Sequence, residues 1–383
     1  MKILGGNEVV FYALPGGKPD EQLNDCLQQL EEYMDEHQIY PGSFIRHNIY
    51  VNLTEFSTYN NLKVKLMKLA KRRFPLPLLV NIITQAPVEG DLALESTYIL
   101  GPNWKCLHKE SKYGACQLVK NNKVEMAIGS VQISKYPDMK SCAEKAFEQM
   151  EILLEKCDMG MVDVVKQWSY LERILDEDMM TQRYQSFNDV RKRYYDNDFD
   201  EGGYPASTAV GMATGGLIIE FIAIKNRNTH SVKITSPVQK EAHLYSAEVL
   251  SGNSAFEETP PSAPKLERGR TLKIGSKTML FISATSAIIG ERITAEGDVT
   301  EQTLVALDNI KKLTDIINLK EAGINTANQG AFTLVKAYVQ KQSEIDSVLQ
   351  ILVPLFKNIP LLIVQADLPR KEILVELEAE MIL

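Results

Sequence analysis

Residues 76–99 read LPLLVNIITQAPVEGDLALESTYI, and residues 359–382 read IPLLIVQADLPRKEILVELEAEMI. Both run through a proline, two leucines, a branched apolar segment, a second proline and an apolar/acidic alternation. A third stretch, YPASTAVGMATGGLIIEFIAIK (204–225), again opens on a proline, breaks at Gly215-Gly216 and closes on a β-rich run. Self-similarity at long period is the mark of one supersecondary unit written several times, and it sets the fold class before any composition does.

What precedes each stretch repeats as well. EQLNDCLQQLEEYMDEHQ (21–38), CAEKAFEQMEILLEKC (142–157) and EQTLVALDNIKKLTDII (301–317) carry apolar residues at helical spacing, such as Leu23, Leu27 and Leu30, or Phe147, Met150 and Leu154. An extended run follows each helix: FIRHNIYVNL (44–53), VVKQWSYL (164–171) and GAFTLVKAYVQ (330–340). A second helical segment then leads to the proline; SEIDSVLQILVPLF (343–356) is the clearest. Two hairpins are legible, GACQLVKNNKVEMAIGSVQI (114–133) turning at Asn121-Asn122 and RTLKIGSKTMLFISATSAI (270–288) turning at Gly275-Ser276. The order is hairpin, helix, strand, helix, strand, three times over. Each unit is an α+β layer whose second sheet face is apolar and must be buried against a neighbour. Three such units in one chain can cover one another, so the expectation is an intrachain pseudo-trimer. Its divisions are 1–105, 106–250 and 270–383, with a Ser/Pro/Gly-rich loop or lid at 251–269.

Bulk properties exclude several functions. A net charge of −8 does not suit a nucleic-acid binder, and the basic clusters at 68–74 and 190–195 read as solvated helix faces. No window approaches a membrane span, and the N-terminus has no apolar core of signal-peptide length. Five cysteines form no CxxC pair, which fits a reducing cytoplasm. Five histidines form no HxH or HExxH pattern, so neither a metal nor a cofactor is expected. The expected partner is a small-molecule carboxylate, and the chain is expected to be a monomer as the pseudo-trimer.

Residues 280–313, LFISATSAIIGERITAEGDVTEQTLVALDNIKKL, and 368–382, LPRKEILVELEAEMI, resemble the RidA/YjgF superfamily. That resemblance implies trimers of a chorismate-mutase-like fold with sites in the clefts between units. Its usual activity, hydrolysis of reactive enamines and imines, relies on an arginine just after the anchor proline. The corresponding positions here are Leu79, Ser207 and Leu362, and Arg370 falls later, in LPR. QWSYLERIL (167–175), YQSFNDVR (184–191), YPASTAVG (204–211), SPVQKEAHLYSAEV (236–249) and LERG (266–269) are similar in order and spacing to the chorismatase branch, whose members remove pyruvate from chorismate.

Cleaving the enolpyruvyl ether of a dicarboxylate needs cations for its carboxylates and a proton donor for the methylene carbon. On the resemblance, Arg191 is the first carboxylate clamp, with Asn188 one turn back on the same helix face, and Arg268 is a second clamp. Tyr170 and Tyr184 would supply hydroxyls and walls, Ser207 and Thr208 small donors, and Gln239 an amide. Glu291, in IIGERIT, is the candidate acid, displaced by one residue from the place the resemblance implies. Each also has a plainer reading as helix surface, packing, strand start or loop. The leading function is therefore a chorismate-cleaving hydrolase or lyase. The alternatives are a RidA-like enamine or imine hydrolase and a non-catalytic binder of small carboxylates.

Overall fold

The computed structural model of the protein describes residues 7–74, 78–100, 104–134, 136–199, 202–250, 261–326 and 330–383. The first elements are β1 (Glu8–Tyr12), α1 (Pro19–His37), β2 (Phe44–Val51), α2 (Phe56–Arg73), β3 (Leu79–Ile83), β4 (Ala86–Pro87) and β5 (Leu92–Tyr98). Next come β6 (Lys105–Glu110), β7 (Gly114–Lys120), β8 (Glu125–Ile133), α3 (Met139–Glu155), β9 (Val164–Glu172), a short hairpin of β10 (Glu177–Asp178) and β11 (Thr181–Gln182), α4 (Arg183–Asp198), β12 (Ala206–Met212) and β13 (Leu217–Ile224). After α5 (Arg227–His230) and β14 (Lys233–Ile234) come β15 (Gly269–Ile274), β16 (Lys277–Thr285), and a small hairpin of β17 (Ile288–Ile289) and β18 (Arg292–Ile293). The chain closes with α6 (Val299–Leu313), α7 (Ile316–Glu321), β19 (Ala331–Val339), α8 (Ile345–Phe356), β20 (Leu361–Gln365) and β21 (Val375–Ile382).

Local chemistry sets the helix starts. Pro19 opens α1 with acidic residues in its first turn, and Asp138 and Asp298 cap α3 and α6 by accepting the N–H groups of Ser141 and Glu301. The segment expected as one helix over 301–317 breaks at Thr314, because Asp315 turns its carboxylate to the N–H of Ile317 and starts α7.

The strands form three large sheets with one shared core order. β5 lies antiparallel between β1 and β2, and β2 runs parallel to β3. β13 lies likewise between β8 and β9, with β9 parallel to β12. β21 lies between β16 and β19, with β19 parallel to β20. The fold is thus mixed α+β. The first sheet differs at its edge: among the described residues, β1 alone precedes α1. The third sheet also reaches outside residues 270–383, taking β14 and β4 onto its two edges. Among the described residues, no helix is long and apolar enough to cross a membrane.

Period-two alternation sends one strand face under the sheet's own helices. Leu23, Leu27 and Leu30 of α1 pack on Ile49 and Leu94; Phe147, Met150 and Leu154 of α3 on Ile219 and Phe221; Ile310 and Leu352 on Ile282 and Leu377. The opposite faces of all three sheets meet in a further shared cluster, which includes Ile45, Leu79, Trp168, Val210, Phe281 and Leu362.

Charge is buried in that shared interior. Arg46 meets Glu220 at 3.0 Å, Lys166 meets Glu378 at 3.1 Å and Lys336 meets Glu95 at 2.9 Å. All six side chains are at most 4% exposed. Each pair joins a cation of one sheet to a carboxylate of another, and the three close a ring. Desolvation offsets most of what such pairs gain, but a wrong pairing would strand buried charges, so the ring dictates which sheets meet. Tyr170, expected at a substrate site, belongs here: it is fully buried, with its hydroxyl 3.4 Å from that of Tyr50. Trp168 is also central, donating its indole N–H to Glu378.

Candidate active site

The second and third sheets meet along a cleft, and α4 forms one side of it. The β10–β11 hairpin fixes the start of α4, where Asp178 holds Arg183 at 3.1 Å. Tyr184, Asn188 and Arg191 then follow at helical spacing on one face. Tyr184 and Asn188 line the cleft, while Arg191 lies just behind them, fully buried. Its guanidinium donates to Asn188 Oδ1 at 2.6 Å and to Ser207 Oγ at 3.5 Å, and stacks over Phe187. Among the described residues no carboxylate lies within ion-pair reach of Arg191. Burial raises the Tyr184 phenol, and the Arg191 guanidinium pulls the other way.

The opposite side comes from the third sheet and the segments around it. Ala284, Ser286 and Ile288 follow from the end of β16, Arg370 and Ile373 from the β20–β21 connection, and Glu376 from β21. Tyr245 and Arg268 complete the wall. Arg268 donates to the Lys240 carbonyl at 2.8 Å and to the Tyr245 hydroxyl, while Arg370 lies 5.3 Å from the Tyr245 ring centre. The cleft is thus bounded by two guanidinium groups and one carboxyl group.

Glu376 is 6% exposed. Burial pushes its carboxyl up to about 7, against the opposing pull of Arg268 and Arg370 and a hydrogen bond from Ser286. Two residues along the same strand, Glu378 behaves oppositely: burial raises it, but Lys166 and Lys336 outweigh that and hold it at about 2. Glu376 is therefore a cleft carboxyl group that carries a proton near neutrality.

The structure brings Tyr184, Asn188 and Arg268 of the expected site residues to this cleft, with Arg191 behind it. The others are elsewhere. Ser207 gives its backbone N–H to Ser283 Oγ at 2.8 Å and faces Arg191. Thr208 turns inward to Lys166 and Glu378. Gln239 donates to the Ile288 carbonyl at 3.1 Å, and its segment bridges to Gly290. Of the expected lid at 251–269, residues 251–260 lie outside the described residues. Ser262 is fastened to α4 by Gln185 and Asp189, and Pro264 and Leu266 line the cleft wall.

The expected acid, Glu291, is corrected by its surroundings. It does not line the cleft. Its carboxylate accepts from Lys240 Nζ at 2.8 Å and from the Ser246 N–H and hydroxyl at 2.9 and 3.0 Å. These donors, Lys240 foremost, hold it at about 2, so it keeps no proton to give. Glu291 is a latch for the 240–246 segment. The Glu291→Gln protein is expected to lose less than about tenfold in kcat, against the roughly 10²–10⁴ that a proton donor supplies; steady-state kinetics on the two proteins checks this.

Glu376, Arg370 and Tyr245 are the cleft residues that sequence reasoning missed. Glu376 sits in the apolar/acidic alternation of VELEAEM, and Arg370, in LPR, stands later in the chain than the place where the RidA resemblance puts its arginine.

Residues 104–223 match the family described as Chorismatase FkbO/Hyg5-like, N-terminal. A chorismatase of Streptomyces hygroscopicus is 31% identical over 186 residues, which are 47% of this chain and 51% of that protein. A 3-hydroxybenzoate synthase of the same organism is 28% identical over 244 residues, covering 61% of this chain and 67% of that one. The chain thus spans about half to two thirds of the length of the curated relatives it matches. A crystal structure of a chorismatase superposes on 99% of this chain and 100% of its own, with a TM-score of 0.73 at 19% identity, which establishes a common fold. Residues 104–223 are thus similar in sequence to the N-terminal part of chorismatases, and over 99% of its length the chain shares the fold of a chorismatase.

Proposed function

We propose that the protein releases pyruvate from chorismate, or from a closely related enolpyruvyl carboxylate, in the cleft between its second and third sheets. The observation that carries the reading is the meeting of Glu376 with Arg268 and Arg370. A dicarboxylate requires two cations, and guanidinium groups hold carboxylates in charge-assisted pairs. Tyr184, which lines the cleft with Asn188, donates its phenol proton to a substrate oxygen; Arg191, which holds Asn188 from behind, is a positioning residue.

In the reaction, protonated Glu376 gives its proton to the terminal methylene of the enolpyruvyl ether, leaving an oxocarbenium-like carbon and a carboxylate. Water adds to that carbon, the hemiketal collapses with a proton returned to the ring oxygen, and pyruvate and the ring diol separate. Attack by the ring hydroxyl in place of water leads toward a hydroxybenzoate, the product named for one relative. Substrate carboxylates that neutralise Arg268 and Arg370 remove the pull that lowers Glu376, so binding itself strengthens the acid's hold on its proton. An imine hydrolase needs a guanidinium and water but no such acid, and a passive binder needs no protonated group at all.

The same reading includes an intrachain pseudo-trimer, with units near 1–105, 106–250 and 270–383, supported by the common strand order and the closed charge ring. It places the protein in the cytoplasm as a single-chain assembly.

Because the acid form of Glu376 is the active one, kcat is expected to fall as pH rises through about 7 or somewhat above. Pyruvate from chorismate, assayed in quenched samples with lactate dehydrogenase across pH, tests both claims. Absence of pyruvate rejects the reaction, and a rate that climbs through neutrality rejects Glu376 as a proton donor.

A further inference from the structure

Behind the cleft wall three acceptor side chains converge, and each carries an unpaired buried atom. Glu241 Oε2, His243 Nδ1 and Glu267 Oε2 are each buried and without a hydrogen-bond partner among the described residues. One ligand atom from each of these residues lies within 4.8 Å of the others. Glu267 is 1% exposed. Its other oxygen accepts the Tyr204 N–H at 2.9 Å, and a Cβ on Gly203 would fall 2.2 Å from that oxygen, so glycine is what lets the carboxylate sit there. The His243 ring stands edge-on to Tyr204 with centroids 5.2 Å apart. With its N–H on Nε2, the imidazole presents the lone pair of the buried, unpartnered Nδ1.

Two carboxylates and an imidazole lone pair are all acceptors. One proton shared between two of them leaves the third unsatisfied, whereas one divalent cation satisfies all three. We propose that Glu241, His243 and Glu267 bind a divalent transition-metal ion of the zinc class. One nitrogen and two oxygens suit such an ion better than magnesium or calcium, which favour oxygen alone. Zinc–ligand bonds of about 2.0–2.2 Å need ligand atoms roughly 3–3.6 Å apart, so closure takes side-chain rotations of about an ångström. Three protein ligands leave a fourth place for water. Lys233, Lys265 and Arg268 also face the cluster; the two carboxylates neutralise a dication, and Lys265 has its own partner in Asp196 at 2.9 Å.

The ion is a clip. Glu241 and His243 flank Ala242 and precede Tyr245, while Glu267 separates Leu266 from Arg268, and Ala242, Tyr245, Leu266 and Arg268 all line the cleft. Binding would tie the 236–250 segment to the stretch with Glu267 and Arg268 that leads into β15, whatever reaction the cleft performs. None of the cysteine or histidine spacings sought in the sequence pointed to this set, since Glu-x-His and a glutamate 24 residues on form no metal motif.

The test uses the full chain, stripped with chelator and titrated with zinc chloride by calorimetry, with thermal unfolding followed in parallel. One equivalent bound, a higher unfolding temperature, and affinity weakened at least about tenfold in both His243→Ala and Glu267→Gln are expected. Anomalous scattering at the zinc edge from a soaked wild-type crystal needs no variant, and a peak among the three residues is the corresponding result. No stoichiometric binding, binding unchanged in both variants, or a zinc peak elsewhere alone would each overturn the proposal.

Discussion

The Glu376→Gln protein is expected to fold normally, bind chorismate and release pyruvate roughly 10²–10⁴-fold more slowly than the wild type. Glutamine keeps the shape of the side chain and can still face Ser286, but it has no acidic proton for the methylene carbon. Burial already disfavours the charged carboxylate at this position, so a neutral replacement leaves no buried charge unpaired and stability should be kept or slightly raised. The separation matters: a large fall in kcat with unchanged unfolding identifies a group that acts in the transition state. A fall in activity that tracks a loss of stability would instead make Glu376 a structural residue.

Arg370→Met is expected to raise KM for chorismate about 30–300-fold, the scale of losing one desolvated charge pair of roughly 2–3.5 kcal/mol. Methionine retains the unbranched stem beside Tyr245 and deletes only the guanidinium. A second change should accompany the first. Arg370 is one of the cations that lower Glu376, so its removal should move the descending limb of the pH profile upward. A residue that merely packed the wall would alter KM without moving that limb. Steady-state kinetics over a pH series reads both effects.

How much of this was legible in the sequence follows from the physics of each part. The helices and hairpins were, because periods of 3.6 and 2 are imposed locally. The repeated unit was also legible: the helix stripes of 23–30 and 147–154 and the strands after them recur with the same chemistry. The destination of the second strand face was harder. In VELEAEM the glutamates alternate with apolar residues, the usual pattern of a sheet wet on one side, yet Glu376, Glu378 and Glu380 are all at most 6% exposed. Three sheets meeting there turn an apparent solvent face into an interior. Neither the partners Lys166 and Lys336 nor the pocket residue Arg268 is near those glutamates in the chain.

The site was half legible for the same reason. Tyr184, Asn188 and Arg191 share one helix face, so spacing alone groups them, and the structure adds only that Arg191 stands behind the other two. Arg370 and Glu376 share the stretch LPRKEILVE, but Arg268 comes from a distant segment that packing brings to them. Glu291 shows the hazard of carrying a role by segment: its place near a Gly-Glu pair suggested an acid, while its actual neighbours, Lys240 and Ser246, hold it ionised outside the cleft. Tyr170 and Thr208 belong to strands that do reach the cleft region, but alternation points them into the charged interior.

The most direct measurement is a crystal structure of the Glu376→Gln protein with chorismate. Its carboxylates should lie against Arg268 and Arg370, with the enolpyruvyl methylene within about 3.5 Å of the residue 376 side chain, the distance of a reactive contact. Chorismate seated instead in the other cleft, beside Lys63 and His108 between the first two sheets, would contradict the assignment. So would a pose in this cleft that turns the methylene away from residue 376.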